Sequence, residues 1–359
     1  MAPMESKASS EDQRSAKLST RLSRELGLRI PLACAGMGFV GLADLAVAVS
    51  NAGALGVYGV GAEPPPVFAA RLQAIRAQTS GPFGVGFVLA ASGLGPFTTQ
   101  DHIDIAAGAH VPVVAFHWDV PSPAWVGQLR AAGSKVWVQT GDVEVALQAV
   151  AAGADGIIAQ GRSAGGHNRN SMIPTWRLVQ RMRHALNPEV LLLAAGGIAD
   201  GHSLVRAIRA GADGGWAGTV FVAAAESYAH PDYKARLVAA HTPDATHLTT
   251  VFGPEWPDQL QRVLRNRATS EPPSEMPPII GETTLFPGVQ DVPYAMPKNS
   301  AIIPTRDTVG DLEEMVMPAG ARSVQAVRAV RPAAEIVADF IEGGRFACDR
   351  DHSESLDED

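Results

Sequence analysis

The chain has 359 residues, 46% of them hydrophobic and 18% charged, with a formal net charge of -8. That is enough apolar material for one large α/β domain with an addition, or for two domains. The basic residues form no stripe, no apolar run reaches the ~18 residues of a membrane span, and the first 20 residues lack an apolar signal-peptide core, so a nucleic-acid surface, membrane insertion and secretion are not expected.

The two cysteines, Cys34 and Cys348, have neither metal-ligand nor disulfide-framework spacing, which fits a reducing, cytoplasmic setting. Residues 1–20 and the acidic stretch 346–359 read as a disordered leader and tail. Between them, residues 30–35 form a first buried strand, followed by a Gly36-Met37-Gly38 loop. Residues 42–52 have helical periodicity and stop at Gly53, a C-cap residue. Residues 55–58 are a second strand, and three prolines from Pro64 open a helix through Arg76, since proline suits a first turn. Strand three covers 83–88. A helix near 101–107 leads to strand four at 111–116, with His117 at its carboxyl end. A helix over 124–132 precedes strand five at 135–139, and Asp142 is placed to cap the next helix.

The stretch 152–167 reads AGADGIIAQGRSAGGH: a helix end, a short buried strand six (156–159), and a loop of small residues ending on His167. Glycines there let backbone amides approach a ligand closely. An isolated histidine in such a place can be an ordinary surface residue. Following Gly165-Gly166 directly after a barrel-type strand, this one reads as functional. Strand seven spans 190–195 and is closed by Gly196-Gly197; strand eight spans 214–221. Eight apolar strands alternating with seven helical segments predict an α/β fold, a (β/α)8 TIM barrel. The barrel is expected at 21–225 and 318–345, with an inserted smaller subdomain or lid at 226–317 before the last helix. In that insert residues 228–241 look helical and the rest is proline-broken. Residues 323–341 supply the eighth helix.

An active site in such a barrel lies at the carboxyl ends of the strands. The sequence places there Ala35, Gly36 and Met37, Gly86, His117, Gln139, Gln160 and Gly161, Gly165, Gly166 and His167, Gly196 and Gly197, and Gly218 and Thr219. The glycine pairs after strands seven and eight stand where loops commonly grip a phosphate through backbone N–H groups. Thr219 adds a hydroxyl, and Asp200 is placed to cap the following helix. The pocket then takes a phosphorylated cofactor such as FMN, or a phosphorylated substrate. No GxGxxG opens a βαβ unit after the first strand, no GxxxxGK[ST] occurs, and the ten histidines form no HxxxH pair, so a dinucleotide fold, an ATP site and a metal site are not expected.

Several stretches together resemble the nitronate monooxygenase family, formerly 2-nitropropane dioxygenases: residues 48–56 (AVSNAGALG), the AQG and AGGH segments at 159–161 and 164–167, AAGGIADG at 194–201, GTVF at 218–221 and HPDYK at 230–234. The resemblance covers most of residues 28–345. Flavin-dependent enoyl-ACP reductases and some NADH:quinone reductases share the signature. The resemblance implies FMN, with Gly196, Gly197, Gly218 and Thr219 on its phosphate. Ala35, Gly36 and Met37 would line the flavin ring, and Gln160 and Gly161 would lie beside it. Gln139, Gly165 and Gly166 complete the cofactor set. His167 would stand over the reactive face, and His117 is a second residue for holding substrate. The family usually has Gln-Ala-Pro-Met where this chain has Cys34-Ala35-Gly36-Met37, and often Asn where it has Gly86. Cys34 is expected at the flavin edge rather than in the bulk core. The implied reaction is oxidation of an alkyl nitronate or nitroalkane with O2, by a protein that forms a homodimer if it is not a monomer. Two alternatives stay open: an NAD(P)H-dependent FMN reductase of an enoyl thioester or quinone, and a flavin-binding protein that has lost catalysis.

Overall fold

The computed structural model describes residues 18–92, 95–169, 171–253, 255–272 and 276–349. Most of the expected leader (1–17) and tail (350–359) therefore lies outside the described residues. Eight parallel strands form one sheet: β1 (Leu32–Cys34), β2 (Gly56–Gly59), β3 (Phe83–Val88), β4 (Val113–His117), β5 (Lys135–Thr140), β6 (Gly156–Gln160), β7 (Leu191–Ala195) and β8 (Gly214–Ala217). Their order is sequential, with β1 paired to β8. The ring closes between β1 and the residue before β2: Cys34 N–H donates to the Leu55 carbonyl and Leu55 N–H to the Leu32 carbonyl, each at 2.9 Å. The chain is a (β/α)8 barrel, as its strand count predicts.

The helices between strands are α2 (Ala43–Asn51), α3 (Pro65–Gln78), α4 (Gln100–Gly108), α5 (Pro123–Ala131), α6 (Val143–Ala151), α7 (Thr175–Ala185) and α8 (Gly201–Arg209), preceded by α1 (Arg21–Leu26). Asp142 caps α6 by accepting from Glu144 and Val145 N–H, and Asp200 caps α8 by accepting from Ser203 N–H. Strand alternation divides the core in two. Ala33, Val57, Ala115, Trp137, Leu193 and Trp216 fill the barrel interior, and Leu22 of α1 packs beneath them. Leu32, Cys34, Tyr58, Phe87, Phe116 and Leu192 face the helical layer. Each such large apolar side chain, once buried, contributes roughly 1.5–3 kcal/mol.

Three expected elements differ. Strand eight stops at Ala217, because Gly218 turns to φ -110, ψ -70, and residues Thr219–Val222 wind into a short helix, α9. The last helix starts at Ala333, not near 323; a 3-10 turn, Ser323–Ala326, comes first, and Pro332 stands immediately before the helix. That helix, α11, runs Ala333–Asp349, four residues into the expected tail, where Ala347 is buried with Leu18 and Val205. Within 226–317, α10 covers Pro231–Ala239. Strands β9 (Thr246–Thr249) and β10 (Gln261–Leu264) pair antiparallel, and β10 also pairs with the two-residue strand Gly166–His167. Strands β11 (Ile279–Leu285) and β12 (Val292–Pro297) form a separate hairpin ladder. The Gln261–Leu264 strand is thus paired directly onto the loop that carries His167. Among the described residues, no helix is long and apolar enough to cross a membrane.

Candidate active site

A cavity of about 410 Å³ opens at the carboxyl ends of the strands. Of the site residues expected from the sequence, all line it except Cys34, Gly86 and Gly161. A Cβ at Gly161 would run into Thr175, so this glycine serves the packing of the β6 end onto α7.

One end of the cavity is made of backbone. Gly196 and Gly197 have φ of +105° and +79°, the left-handed region that glycine adopts without a steric cost. Among the described residues, no acceptor pairs with the N–H groups of Gly197, Gly218 or Thr219. The Thr219 hydroxyl accepts from Gly320 N–H at 2.9 Å, which leaves its own proton to donate. Ser323 also lines this end, brought in by the segment that returns from the insert. A Cβ on Gly165 would come within 2.6 Å of the Ala319–Gly320 backbone, so only glycine lets that segment pass. Orphan amides, two hydroxyls and the glycine cradle fit a phosphate.

The middle of the cavity is a floor. Ala35, Gly36 and Met37 form it with Trp216 beneath. The turn after β1 lies close to β3: a Gly36 Cβ would be 3.3 Å from Gly86 Cα. His117 lies over Gly86, where a Cβ would be 2.9 Å from its Nε2. Glycine at 86 is therefore what makes room for the imidazole. Burial pushes the His117 pKa down to about 4, opposed by its hydrogen bond to Gln139. Nε2 of His117 is buried without a partner.

Cys34 is not at this floor. It is fully buried on the other face of β1, among residues packed against the helices, and burial pushes its thiol pKa up. The period of two explains the error: Ala33 and Ala35 point inward, so Cys34 between them points out.

The other end is aromatic. His167 is fixed by its backbone: it pairs with Gln261 of β10, and its carbonyl accepts from Gln160 Nε2 at 2.9 Å. Its ring meets Trp256 at 4.6 Å between centroids, and Trp118 edge-on at 5.7 Å and 88°. The residue keeps some surface open to the cavity, yet Nε2 is buried without a partner and desolvation pushes its pKa down to about 4. The imidazole is therefore neutral near pH 7 and can accept a proton or a hydrogen bond. Trp118 sits at φ 89°, a conformation that costs of order 1–3 kcal/mol for a bulky residue and persists only where its surroundings dictate it. Arg169 supplies that hold. Its guanidinium donates to the Trp118 carbonyl, lies 5.7 Å from the ring centroid, and pairs with Asp119 at 3.5 Å.

Sequence reasoning missed Trp118, Trp256, Tyr233 and Ser323, all of which line the cavity. Trp118 carried a signal, a large aromatic directly after the end of a barrel strand. Trp256, Tyr233 and Ser323 follow the last barrel strand and had no strand end to locate them.

The nitronate monooxygenase family profile matches residues 19–343. A probable nitronate monooxygenase of Staphylococcus aureus is 27% identical, with 84% of this chain and 90% of that protein covered. Among solved structures, FabK from Thermotoga maritima is 28% identical with a TM-score of 0.73, over 92% of this chain and 97% of its own. A nitroalkane oxidase from Streptomyces ansochromogenes is 26% identical, also with a TM-score of 0.73, over 91% of this chain and 99% of its own. The chain belongs to the nitronate monooxygenase family and is a flavin-dependent oxidoreductase.

Proposed function

We propose that the protein binds FMN and oxidises alkyl nitronates, or the nitroalkanes from which they form, with O2. The observation that carries this reading is a desolvated His167 imidazole, its Nε2 without a partner, at one end of a cavity whose other end is a glycine cradle that fits a phosphate. A single phosphate cradle, closed on its outer side by Ser323 and the 318–323 segment, favours FMN over FAD. Residues Gly196, Gly197, Gly218 and Thr219 hold the phosphate. Ala35, Gly36 and Met37 support the ring, with Gln139, Gln160, Gly165 and Gly166 around it. When bound, FMN supplies the redox capacity that carries electrons from the substrate to O2.

The protein's own part is proton handling and placement. A nitronate is already electron-rich and needs only to be held. A neutral nitroalkane must first lose an α-proton, which passes to the His167 imidazole as the C–H bond breaks. Gln160 and the Gln261 pairing fix the backbone beneath that ring, so the base stays at one place. His117, with Nδ1 turned to Gln139, is placed to hold the substrate from the floor side. We also infer a cytoplasmic enzyme, since neither cysteine is in a disulfide.

A second reading, NAD(P)H-dependent reduction of an enoyl thioester or quinone, uses the same barrel. The FabK structure overlays as well as the nitroalkane oxidase does. An anaerobic titration of the yellow protein decides between them. Propionate 3-nitronate, nitroethane, NADH and NADPH are added in parallel. Bleaching by the nitro compounds supports the proposal; rapid bleaching by NADH or NADPH alone refutes it. The nucleotide released on heating identifies the flavin.

A further inference from the structure

The aromatic end of the cavity is lined from three separate segments and backed by a fourth. Phe97 comes from the β3–α4 connection, Trp118 from the end of β4, His167 from the loop after β6 and Trp256 from the insert. Their rings touch in series. Phe97 meets Trp256 at 5.7 Å, Trp256 meets Trp118 at 4.3 Å, and both tryptophans meet His167. A strained Trp118 clamped by Arg169 indicates that this wall is held in position rather than left over from packing.

Charge on the wall is already committed. Among the described residues lining the cavity, Arg169 is the one guanidinium or ammonium group, and it is engaged by Asp119 and the Trp118 carbonyl. The Asp142 carboxylate accepts the first-turn N–H groups of α6. A substrate carboxylate would therefore meet indole faces, which carry negative charge density, and the Asp119 carboxylate. An aromatic or bulky uncharged tail would stack on the same surface.

We propose that Trp118 and Trp256 set the substrate class: a nitronate or nitroalkane whose tail is aromatic or otherwise bulky and uncharged, in preference to one ending in a carboxylate. This rests on the nitronate-oxidising reading above. Arg169 is a positioning residue that acts through Trp118.

The test compares kcat/KM of the flavin-loaded protein for the nitronates of phenylnitromethane and of 3-nitropropionate. The aryl nitronate is expected to be favoured by roughly tenfold or more. Trp256→Ala and Trp118→Ala should each erode that ratio towards one while the bound-flavin spectrum persists, and Trp256→Phe should keep it. A preference for the carboxylated nitronate, or a ratio that survives both alanine variants, overturns the proposal. Nitrobenzene, which has no α-proton, serves as an inert probe titrated by its perturbation of the flavin bands. Its Kd should rise roughly tenfold in Trp256→Ala. If neither nitronate is oxidised while NADH bleaches the flavin, the functional reading fails. The nitrobenzene titration then decides the wall: a raised Kd supports it, and an unchanged Kd overturns it.

Discussion

The two ends of the cavity are built by opposite means. At the phosphate end the binding groups are backbone amides, placed by the ends of β7 and β8 and freed by glycine. At the aromatic end they are side chains, brought from three segments and held by contacts between those segments. Backbone sites depend on local conformation, so they tolerate change elsewhere and fail when one glycine is replaced. A side-chain wall can lose a member gradually. The first end should therefore govern whether flavin binds, and the second what is done with it.

The largest expected effect separates the ends outright. His167→Asn should keep bound flavin with a normal spectrum, because His167 is placed by Gln160 and Gln261 and not by the glycines after β7 and β8. Turnover of nitroethane should fall by roughly 10²–10⁴-fold, the usual worth of a positioned base. Ethyl nitronate, which needs no deprotonation, should lose much less. Equal, near-normal rates on both substrates would remove His167 from the reaction. Equal, large losses would make it a positioning or electrostatic group instead. In the unaltered enzyme the lowered pKa extends the basic form to lower pH. kcat/KM for nitroethane should thus be lost as pH falls through about 4, not through the ordinary histidine value. A midpoint near 6.5 would show that the imidazole is not desolvated in the working enzyme.

The opposite end is broken by Gly197→Val. A β-branched residue at φ +79° is strained whatever space it finds. Flavin affinity should drop by roughly tenfold or more, since about 1.4 kcal/mol corresponds to a factor of ten. Far-UV circular dichroism should be near normal, because the strain falls on a loop and not on a strand. Retained affinity would mean that the cradle does not hold the phosphate.

How much of each end was legible in the sequence follows from the same contrast. The barrel was readable because eight apolar strands recur with a fixed alternation, and the glycine pairs were readable because they stand directly after two of them. Gly161 was over-read: the same glycine signal serves packing against Thr175. Trp256 was unreadable because it lies in a proline-broken stretch with no period to follow, while Tyr233 and Ser323 fell in expected helices that no strand end tied to the cavity. The start of the last helix was misplaced for a related reason: residues 323–331 suit a helix by propensity, but Pro332 restricts the residue before it.

The junction of the two ends offers a smaller effect. Gly86→Ala would put a Cβ 2.9 Å from His117 Nε2 and 3.4 Å from Gly36 Cα, so the imidazole must move. Overpacking of this kind typically costs about 1–3 kcal/mol, read as a lowered urea midpoint. Adding His117→Ala should recover most of the loss, because the clash is with that ring. Losses that simply add would place the strain on Gly36 instead.

The smallest expected effect is at Cys34. It lies one residue before Ala35, which lines the cavity, yet its side chain leaves the strand on the opposite face. It is fully buried and packed against the helical layer, so replacing it removes contacts there and none at the floor. Cys34→Ala should leave the visible bands of the bound flavin unmoved and its Kd within about twofold, while thermal stability falls by about 1 kcal/mol, the usual cost of a small core truncation. A displaced flavin spectrum with unchanged stability would put the thiol on the cavity side and reverse the assignment of faces along β1.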